Sequence, residues 1–240
     1  MSYVEGFVVA VPTSNKEIYR AHAESAVPHF KRLGATRLVE SWGDGVPHGD
    51  QTDFYRAVEA KEDETPVFSF VEYPSKEVRD QTNKAMMDDP GFQSMGEMPF
   101  DARRMIWSGF SPFLDERAGS GSSCGYIDGY LMVVPAGNEQ AYRDMAAVAA
   151  PILVQNGALR VVEAMGDDLM EGKTTDYRKA TQLKEGESLV FSWIEWPDKA
   201  TRETGMAAFM EDDRIKNGPS PLPFDTARVV SGAFETIVDQ

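Results

Sequence analysis

The chain carries two copies of one sequence in tandem. The segment YVEGFVVAVP, which begins at Tyr3, returns as YIDGYLMVVP from Tyr126, and VFSFVEYP at residues 67–74 returns as VFSWIEWP at residues 190–197. Self-similarity over so long a period indicates two copies of one domain rather than a solenoid of short repeats. The fold must therefore accommodate two equivalent units.

Composition limits the partners of the protein. The 240 residues are 42% hydrophobic, enough for a core, and 39 acidic against 24 basic residues give a formal charge of −15. An acidic surface repels nucleic-acid phosphates, and RNA binding would need a basic or stacking surface, so we expect no nucleic-acid partner. The sequence shows neither an export-type N-terminus nor an apolar run of the roughly 20 residues that span a bilayer. We therefore expect a cytoplasmic protein with no membrane partner.

A segment rich in Gly and Ser separates the two copies. We therefore divide the chain into a first unit (residues 1–115), a flexible linker (residues 116–125) and a second unit (residues 126–240). The one cysteine, Cys124, lies in this linker, where we expect an exposed and unreactive thiol. A single cysteine also excludes a disulfide within the chain.

Each unit alternates strands and helices in the predicted order βαβββαβ. In the first unit the pattern predicts strands near residues 3–11, 36–42, 53–60, 66–73 and 103–113, with helices after the first and fourth. This is the α+β ferredoxin-like arrangement with one added strand. Helices on one face leave the other face of the sheet bare, and its large apolar side chains cannot stay in water. We expect two ferredoxin-like units that close face to face as an intramolecular dimeric α+β barrel.

Four motifs in each unit resemble the YbaA-like family of bacterial proteins, whose function is unknown. In the first unit they are YVEGFVVAVP, GATRLVESWGD, FSFVEYPSKEVRD and MPFDARRMIWSGF, and in the second YIDGYLMVVP, GALRVVEAMGD, FSWIEWPDKATRE and LPFDTARVVSGAF. The resemblance spans almost the whole chain outside the linker. It implies the same barrel and kinship with a superfamily that contains cofactor-independent monooxygenases, haem-degrading enzymes and isomerases. A shared fold does not transfer a reaction.

Acids on otherwise apolar strands are the first candidates for chemistry. They are Glu40, Glu72, Glu163 and Glu195. A buried carboxylate without a partner is costly or takes up a proton, so each of these acids must have a partner or reach water. The natural partners are Arg37, Arg104, Arg160 and Arg228. Two interpretations stay open: these groups surround a ligand cavity in each half-barrel, where a raised pKa suits proton transfer, or they form ion pairs at strand ends or on the barrel rim.

Two tryptophans complete the candidate ligand-binding set. Trp42 and Trp193 lie on predicted strands, where they line an aromatic cavity or belong to the core. The set is therefore Glu40, Trp42, Glu72, Arg104, Glu163, Trp193, Glu195 and Arg228. All three histidines lie in the first unit, which disfavours a duplicated metal or haem site, and the sequence has no nucleotide-binding or serine-hydrolase motif. We expect no metal and no cofactor.

The sequence supports two hypotheses of function. The first is a small apolar or aromatic molecule bound in a barrel cavity, with a cofactor-independent enzyme as its catalytic form. The second is a non-catalytic module for protein interaction or oligomerisation, which predicts an apolar outer patch instead of a cavity. In both cases the two units form a pseudo-dimer within one chain, and further oligomerisation stays open.

Overall fold

The computed structural model describes residues 2–119 and 123–240. Within these ranges eight antiparallel strands form one closed barrel with helices outside it. The first unit contains β1 (Tyr3–Pro12), α1 (Lys16–Arg32), β2 (Arg37–Gly45), α2 (Phe54–Ala57), β3 (Glu64–Tyr73), α3 (Lys76–Met86), α4 (Pro90–Gln93) and β4 (Ile106–Arg117). The second unit contains β5 (Tyr126–Val134), α5 (Glu139–Gln155), β6 (Arg160–Asp168), α6 (Tyr177–Ala180), β7 (Ser188–Trp196), α7 (Lys199–Glu211), α8 (Asp213–Lys216) and β8 (Val230–Asp239).

The two units share the barrel equally. The strand order is β1-β3-β2-β8-β5-β7-β6-β4, so each unit supplies four adjacent strands, and the pairs β2–β8 and β4–β6 join the units along both edges. Closure in this way leaves no sheet edge unpaired. The predicted intramolecular α+β barrel is confirmed.

One predicted element is wrong. Residues 53–60 do not form a strand but contain the short helix α2, so each unit has the order βαββαβ apart from its short helices. The Asp53 carboxylate accepts a hydrogen bond from the backbone N–H of Arg56 at 2.8 Å, which caps a helix start and competes with an extended chain. Phe54 and Ala57 are fully buried three residues apart, a helical spacing that the sequence interpretation took for a strand.

Aromatic rings from both units fill the barrel interior. Phe68 of β3 stacks on its counterpart Phe191 of β7 with ring centroids 4.6 Å apart, and Phe70 stacks on Trp193 at 4.2 Å. All four side chains are fully buried in one core cluster to which both units contribute. The faces that neither unit could leave in water therefore cover each other.

A pair of glycines makes this close packing possible. Gly6 of β1 lies against the ring of Phe191, and a Cβ placed there would sit only 2.6 Å from a ring carbon. Gly129 of β5 has the same relation to Phe68, at 2.9 Å. Each unit therefore leaves out one side chain where the ring of the other unit enters.

The segment that joins the units differs in part from the prediction. Arg117 still belongs to β4, and residues 120–122 of the predicted linker lie outside the described residues. Cys124 is buried rather than exposed, because the chain beside it is already paired: the Gly125 N–H donates to the carbonyl of Trp196 at 2.9 Å. Burial raises the pKa of the Cys124 thiol to about 12, so this thiol stays protonated and inert.

Candidate functional site

The first unit contains a cavity between α1 and the outward face of its sheet. Its volume is about 290 Å³. Residues alternate between the two faces of a strand, so that Val39 of β2 faces the barrel interior while Leu38 and Glu40 face the helices. The cavity is therefore separate from the barrel interior, which the sequence interpretation had taken as the place for a ligand. Most of its wall is apolar, with aromatic rings and methionines predominating.

A cluster of three polar side chains lies in the wall of this cavity. Glu40 on β2 is the register partner of Ser69 on β3, and Tyr19 faces them from α1. The Tyr19 hydroxyl donates to Oε2 of Glu40 at 2.6 Å, and the Ser69 hydroxyl donates to the same oxygen. The three side chains form the convergent polar point of an otherwise apolar pocket, an arrangement that is typical of small-molecule sites.

Burial controls the protonation of this cluster. Removal from water raises the pKa of Glu40 to about 7, although the hydrogen bonds from Ser69 and Tyr19 act in the opposite direction. Burial also lowers the pKa of His22, which lines the same cavity, and this favours the neutral imidazole. No Arg or Lys is among the described residues of the cavity wall. Glu40 can therefore exchange a proton near neutral pH.

The second unit repeats the polar cluster. Glu163 on β6 is the register partner of Ser192 on β7, and the Tyr142 hydroxyl of α5 donates to Oε2 of Glu163 at 2.8 Å. Burial raises the pKa of Glu163 to about 7, as it does for Glu40. The same chemistry is thus present twice in the chain.

The space beneath the helix differs between the units. Val9 and His22, which line the cavity of the first unit, correspond to Met132 and Met145 in the second. Both methionines pack into one apolar cluster around Tyr142. Methionine side chains are flexible and fill irregular gaps, so the second unit has gap-filling side chains at two positions that line the cavity of the first.

Two of the predicted glutamates lie at the junction of the units. Glu72 pairs with Arg160 of the other unit at 2.6 Å, and Glu195 pairs with Arg37 at 2.7 Å. Cross contacts of 3.4 Å (Arg37–Glu72) and 3.5 Å (Arg160–Glu195) close a four-residue cluster, which we call the ion-pair quartet. Of the two interpretations left open by the sequence, ion pairing is the one that applies to Glu72 and Glu195. Neither glutamate lines the cavity.

The other predicted residues have structural contacts. Arg104 binds Glu64 at 2.6 Å and Arg228 binds the equivalent Glu187 at 2.7 Å, so these arginines do not partner the four candidate glutamates. The indole N–H of Trp193 donates to Glu195 within the core at 2.9 Å. Trp42 is buried beside Tyr19, with ring centroids 6.4 Å apart, next to the cavity but not in its wall.

Tyr19 and Ser69 are the residues that sequence reasoning missed. Both are identical in the two units, where they return as Tyr142 and Ser192. Identity at matching positions of two diverged copies, together with the repeated glutamate between them, was the available signal. Neither residue type suggests a site by itself, because Tyr and Ser are common on helices and strands.

The described residues contain neither a cluster of metal-ligand side chains nor a membrane-spanning helix. Between residues 2–119 and 123–240, no three or more His, Cys, Asp or Glu side chains are grouped so that they could hold a metal ion. Within the same ranges, no helix combines the length and the apolar character needed to cross a membrane.

The fold places the protein in the class of dimeric α+β barrels. It is similar to a candidate monooxygenase from Fusobacterium nucleatum, with a TM-score of 0.60 and 9% identity over 100% of this chain and 94% of that chain. A second candidate monooxygenase, from Lactobacillus acidophilus, gives a TM-score of 0.54 and 8% identity over 99% and 95% of the two chains. Likeness at such low identity shows a shared fold and nothing about the reaction.

The chain belongs to the family described as protein of unknown function (DUF1428), whose model matches residues 2–102 and again residues 125–226. It is 56% identical over 117 residues to YbaA of Escherichia coli K12, a protein described as uncharacterized. That match covers 48% of this chain and 100% of YbaA, so the relative has the length of one unit. The resemblance seen in the sequence motifs and the tandem duplication are both confirmed.

Proposed function

We propose that the first unit binds one small, largely apolar molecule in the cavity beneath α1, with Glu40 contacting its polar group. The observation that carries this proposal is an apolar cavity whose wall includes a carboxyl held by two hydroxyls. The volume of about 290 Å³ suits a ligand of one or two fused rings, since ligand pockets start at roughly 300 Å³. In this proposal the second unit completes the barrel and does not bind ligand.

The character of the wall supports an apolar ligand. Rings of Phe7, Phe30 and Phe92 line the cavity, with Met86 and Met98 beside them. Aromatic rings supply large apolar contact areas, and methionines adapt to the shape of a ligand. A carboxyl that titrates near neutral pH would also suit proton transfer in a cofactor-independent reaction, which we retain as the catalytic form of the proposal. The cytoplasm remains the location that the sequence predicts.

A thermal-shift titration with naphthalene, combined with mass spectrometry of molecules that co-purify with the native protein, tests this proposal. Ala26 lines the cavity from α1, and Ala26→Leu would place extra carbon atoms in it. We expect naphthalene to raise the melting temperature of the wild type but not that of Ala26→Leu. Ala149→Leu, at the matching position of α5, serves as the control and should keep the full shift. A shift that survives Ala26→Leu would contradict the proposal.

The second candidate function, an oligomerisation module, draws on exposed apolar side chains at matching positions. Met87 and Met210 are exposed at equivalent places of the two units, as are Met98 and Leu222. Static light scattering distinguishes this function, because a protein that stays monomeric at high concentration does not use these side chains for self-association.

A further inference from the structure

Glu40 differs from most buried glutamates of this protein because it has no countercharge. Glu64 and Glu72 are paired with Arg104 and Arg160, each at 2.6 Å, and Glu195 is paired with an arginine as well. Among the described residues no cation lies within ion-pair distance of Glu40, whose hydrogen-bond donors are both hydroxyls. Buried charges in proteins are normally paired. The described part of the chain supplies no such partner for the ionised form of Glu40.

One oxygen of this carboxyl is available to a ligand. Tyr19 and Ser69 both donate to Oε2, and no donor in the described part of the chain reaches Oε1. Although Oε1 has no hydrogen-bond partner, it is not fully buried and so remains accessible. Glu40 itself lines the cavity. A ligand in the cavity can therefore contact Oε1 directly.

We propose that the ligand of this cavity is a hydrophobic amine, whose ammonium group binds Oε1 of Glu40 while its apolar body lies among the rings. This inference rests on the proposed function and specifies its ligand class. The ammonium supplies the missing countercharge, and a charge-assisted hydrogen bond to a carboxylate is stronger than a neutral one. Aromatic faces in the wall add attraction for a cation.

The charge of the surroundings disfavours an anionic ligand. The wall carries no Arg or Lys, and His22 favours its neutral form because burial lowers its pKa. The formal charge of the whole chain is −15, which raises the local concentration of cations and lowers that of anions. A hydrophobic carboxylate would meet Glu40 with no cation to offset the repulsion.

The pH dependence of binding follows from the groups that face Glu40. These are Tyr19 and His22 from α1 and Ser69 from β3, while Lys16 of the same helix binds Glu235 at 2.6 Å. An ammonium ligand needs the ionised carboxylate, and the pKa of Glu40 is about 7 in the free protein. Affinity for an amine should therefore rise between about pH 6 and about pH 8 as Glu40 loses its proton. The amine stays protonated over this range because its own pKa is higher.

Calorimetric titration with three matched probes tests the inference: naphthylmethylamine, naphthylmethanol and naphthoate. The titrations are made at about pH 8 and physiological ionic strength, where attraction to the charged surface is screened. We expect the amine to bind at least about 10-fold more tightly than the alcohol, and naphthoate to bind most weakly. Glu40→Gln should weaken amine binding about 10-fold and change alcohol binding less than about 3-fold. Glu163→Gln, the matched control, should change neither.

The outcomes separate the ligand class from the site. If the alcohol or naphthoate binds as tightly as the amine, or if Glu40→Gln leaves amine affinity unchanged, the assignment of an amine as the ligand is wrong, although the cavity remains a binding site. If no probe binds, or if Ala26→Leu leaves binding of every probe intact, the cavity is not the site and the proposed function fails with it. Amine binding that falls as the pH rises from about 6 to about 8 also overturns the inference.

Discussion

The two units present equivalent faces to each other but enclose different spaces beneath their helices. At the junction, Glu72 and Glu195 have the same kind of arginine partner, and the stacked rings of the core come from matching positions. Beneath α1 a cavity is open, whereas beneath α5 Met132 and Met145 pack against Tyr142. The barrel needs both copies of its junction, whereas the proposed binding site needs only the first unit.

The polar clusters of the two units match, so the difference lies in the residues around them. Glu40 and Glu163 each accept a hydrogen bond from a tyrosine and face a serine across the strand pair. Their pKa values are raised to about 7 by the same cause. The residues that surround the cluster, rather than the chemistry of the cluster, therefore distinguish the units.

The largest expected effect tests the equivalence of the junction. Glu72→Ala takes two hydrogen bonds from the buried Arg160, and Glu195→Ala takes two from the partly exposed Arg37 and the acceptor from the buried Trp193 indole. Each variant should lower the free energy of unfolding by about 3–5 kcal/mol. The two losses should agree within about 1 kcal/mol, and the double variant should lose less than their sum because both belong to one cluster. Chemical denaturation measures all three. Glu24→Ala, which breaks an exposed pair with Arg20 within α1, is the control and should cost less than about 1 kcal/mol.

The glycine pair tests the packing between the units. Gly6→Ala and Gly129→Ala would each push a methyl group into the ring of the opposite unit and should destabilise by about 1–3 kcal/mol. Similar losses at both positions support equivalent packing. A neutral result at one position would show that the ring beside it can move aside.

The pH dependence of stability should show the two polar clusters as equals in the free protein. The folded protein holds a proton on Glu40 and Glu163 up to about pH 7, whereas the unfolded chain releases it near the ordinary value of 4.5. The stability that these two carboxyls contribute is complete below pH 4.5 and is lost as the pH rises through about 7, by up to about 3 kcal/mol for each carboxyl. Glu5, whose pKa burial also raises to about 7, adds to the same slope. Denaturant titrations across this range should show that Glu40→Gln and Glu163→Gln flatten the slope equally.

The smallest effect on stability comes from exchanging the residues that distinguish the two spaces. The double variant Val9→Met with His22→Met gives the first unit the side chains of the second and should change the free energy of unfolding by less than about 1.5 kcal/mol, because it fills existing space. The reverse exchange, Met132→Val with Met145→His, removes packed atoms and should destabilise more. Denaturation midpoints compare the two directly. If the first variant unfolds, the cavity is not free space.

Much of the fold could be predicted because the repeat and the apolar faces constrain it. Each unit has a sheet with one bare face, which carries Phe68 in the first unit and Phe191 in the second. Such faces must be buried, and the simplest way is for the two sheets to cover each other. The error at residues 53–60 arose because Asp53 acts as a helix cap, a local contact that competes with an alternating pattern.

The site could be predicted only in part. Apolar surroundings identified Glu40 and Glu72 together, but the sequence does not show which face of the sheet each side chain occupies until the strand register is known. The register directs Glu40 toward α1 and Glu72 toward the ion-pair quartet. The cavity itself depends on the sizes of side chains that come together from α1, β1 and residues 86–105. A local sequence pattern does not show how such distant residues fit together.

The stoichiometry of probe binding tests the central claim most directly. Calorimetric titration with naphthylmethylamine should give one site per chain in the wild type and in Glu163→Gln, and none in the variant that carries Val9→Met and His22→Met. Two equivalent sites in the wild type, or an unchanged site after the first unit has received both methionines, would contradict a single binding site beneath α1.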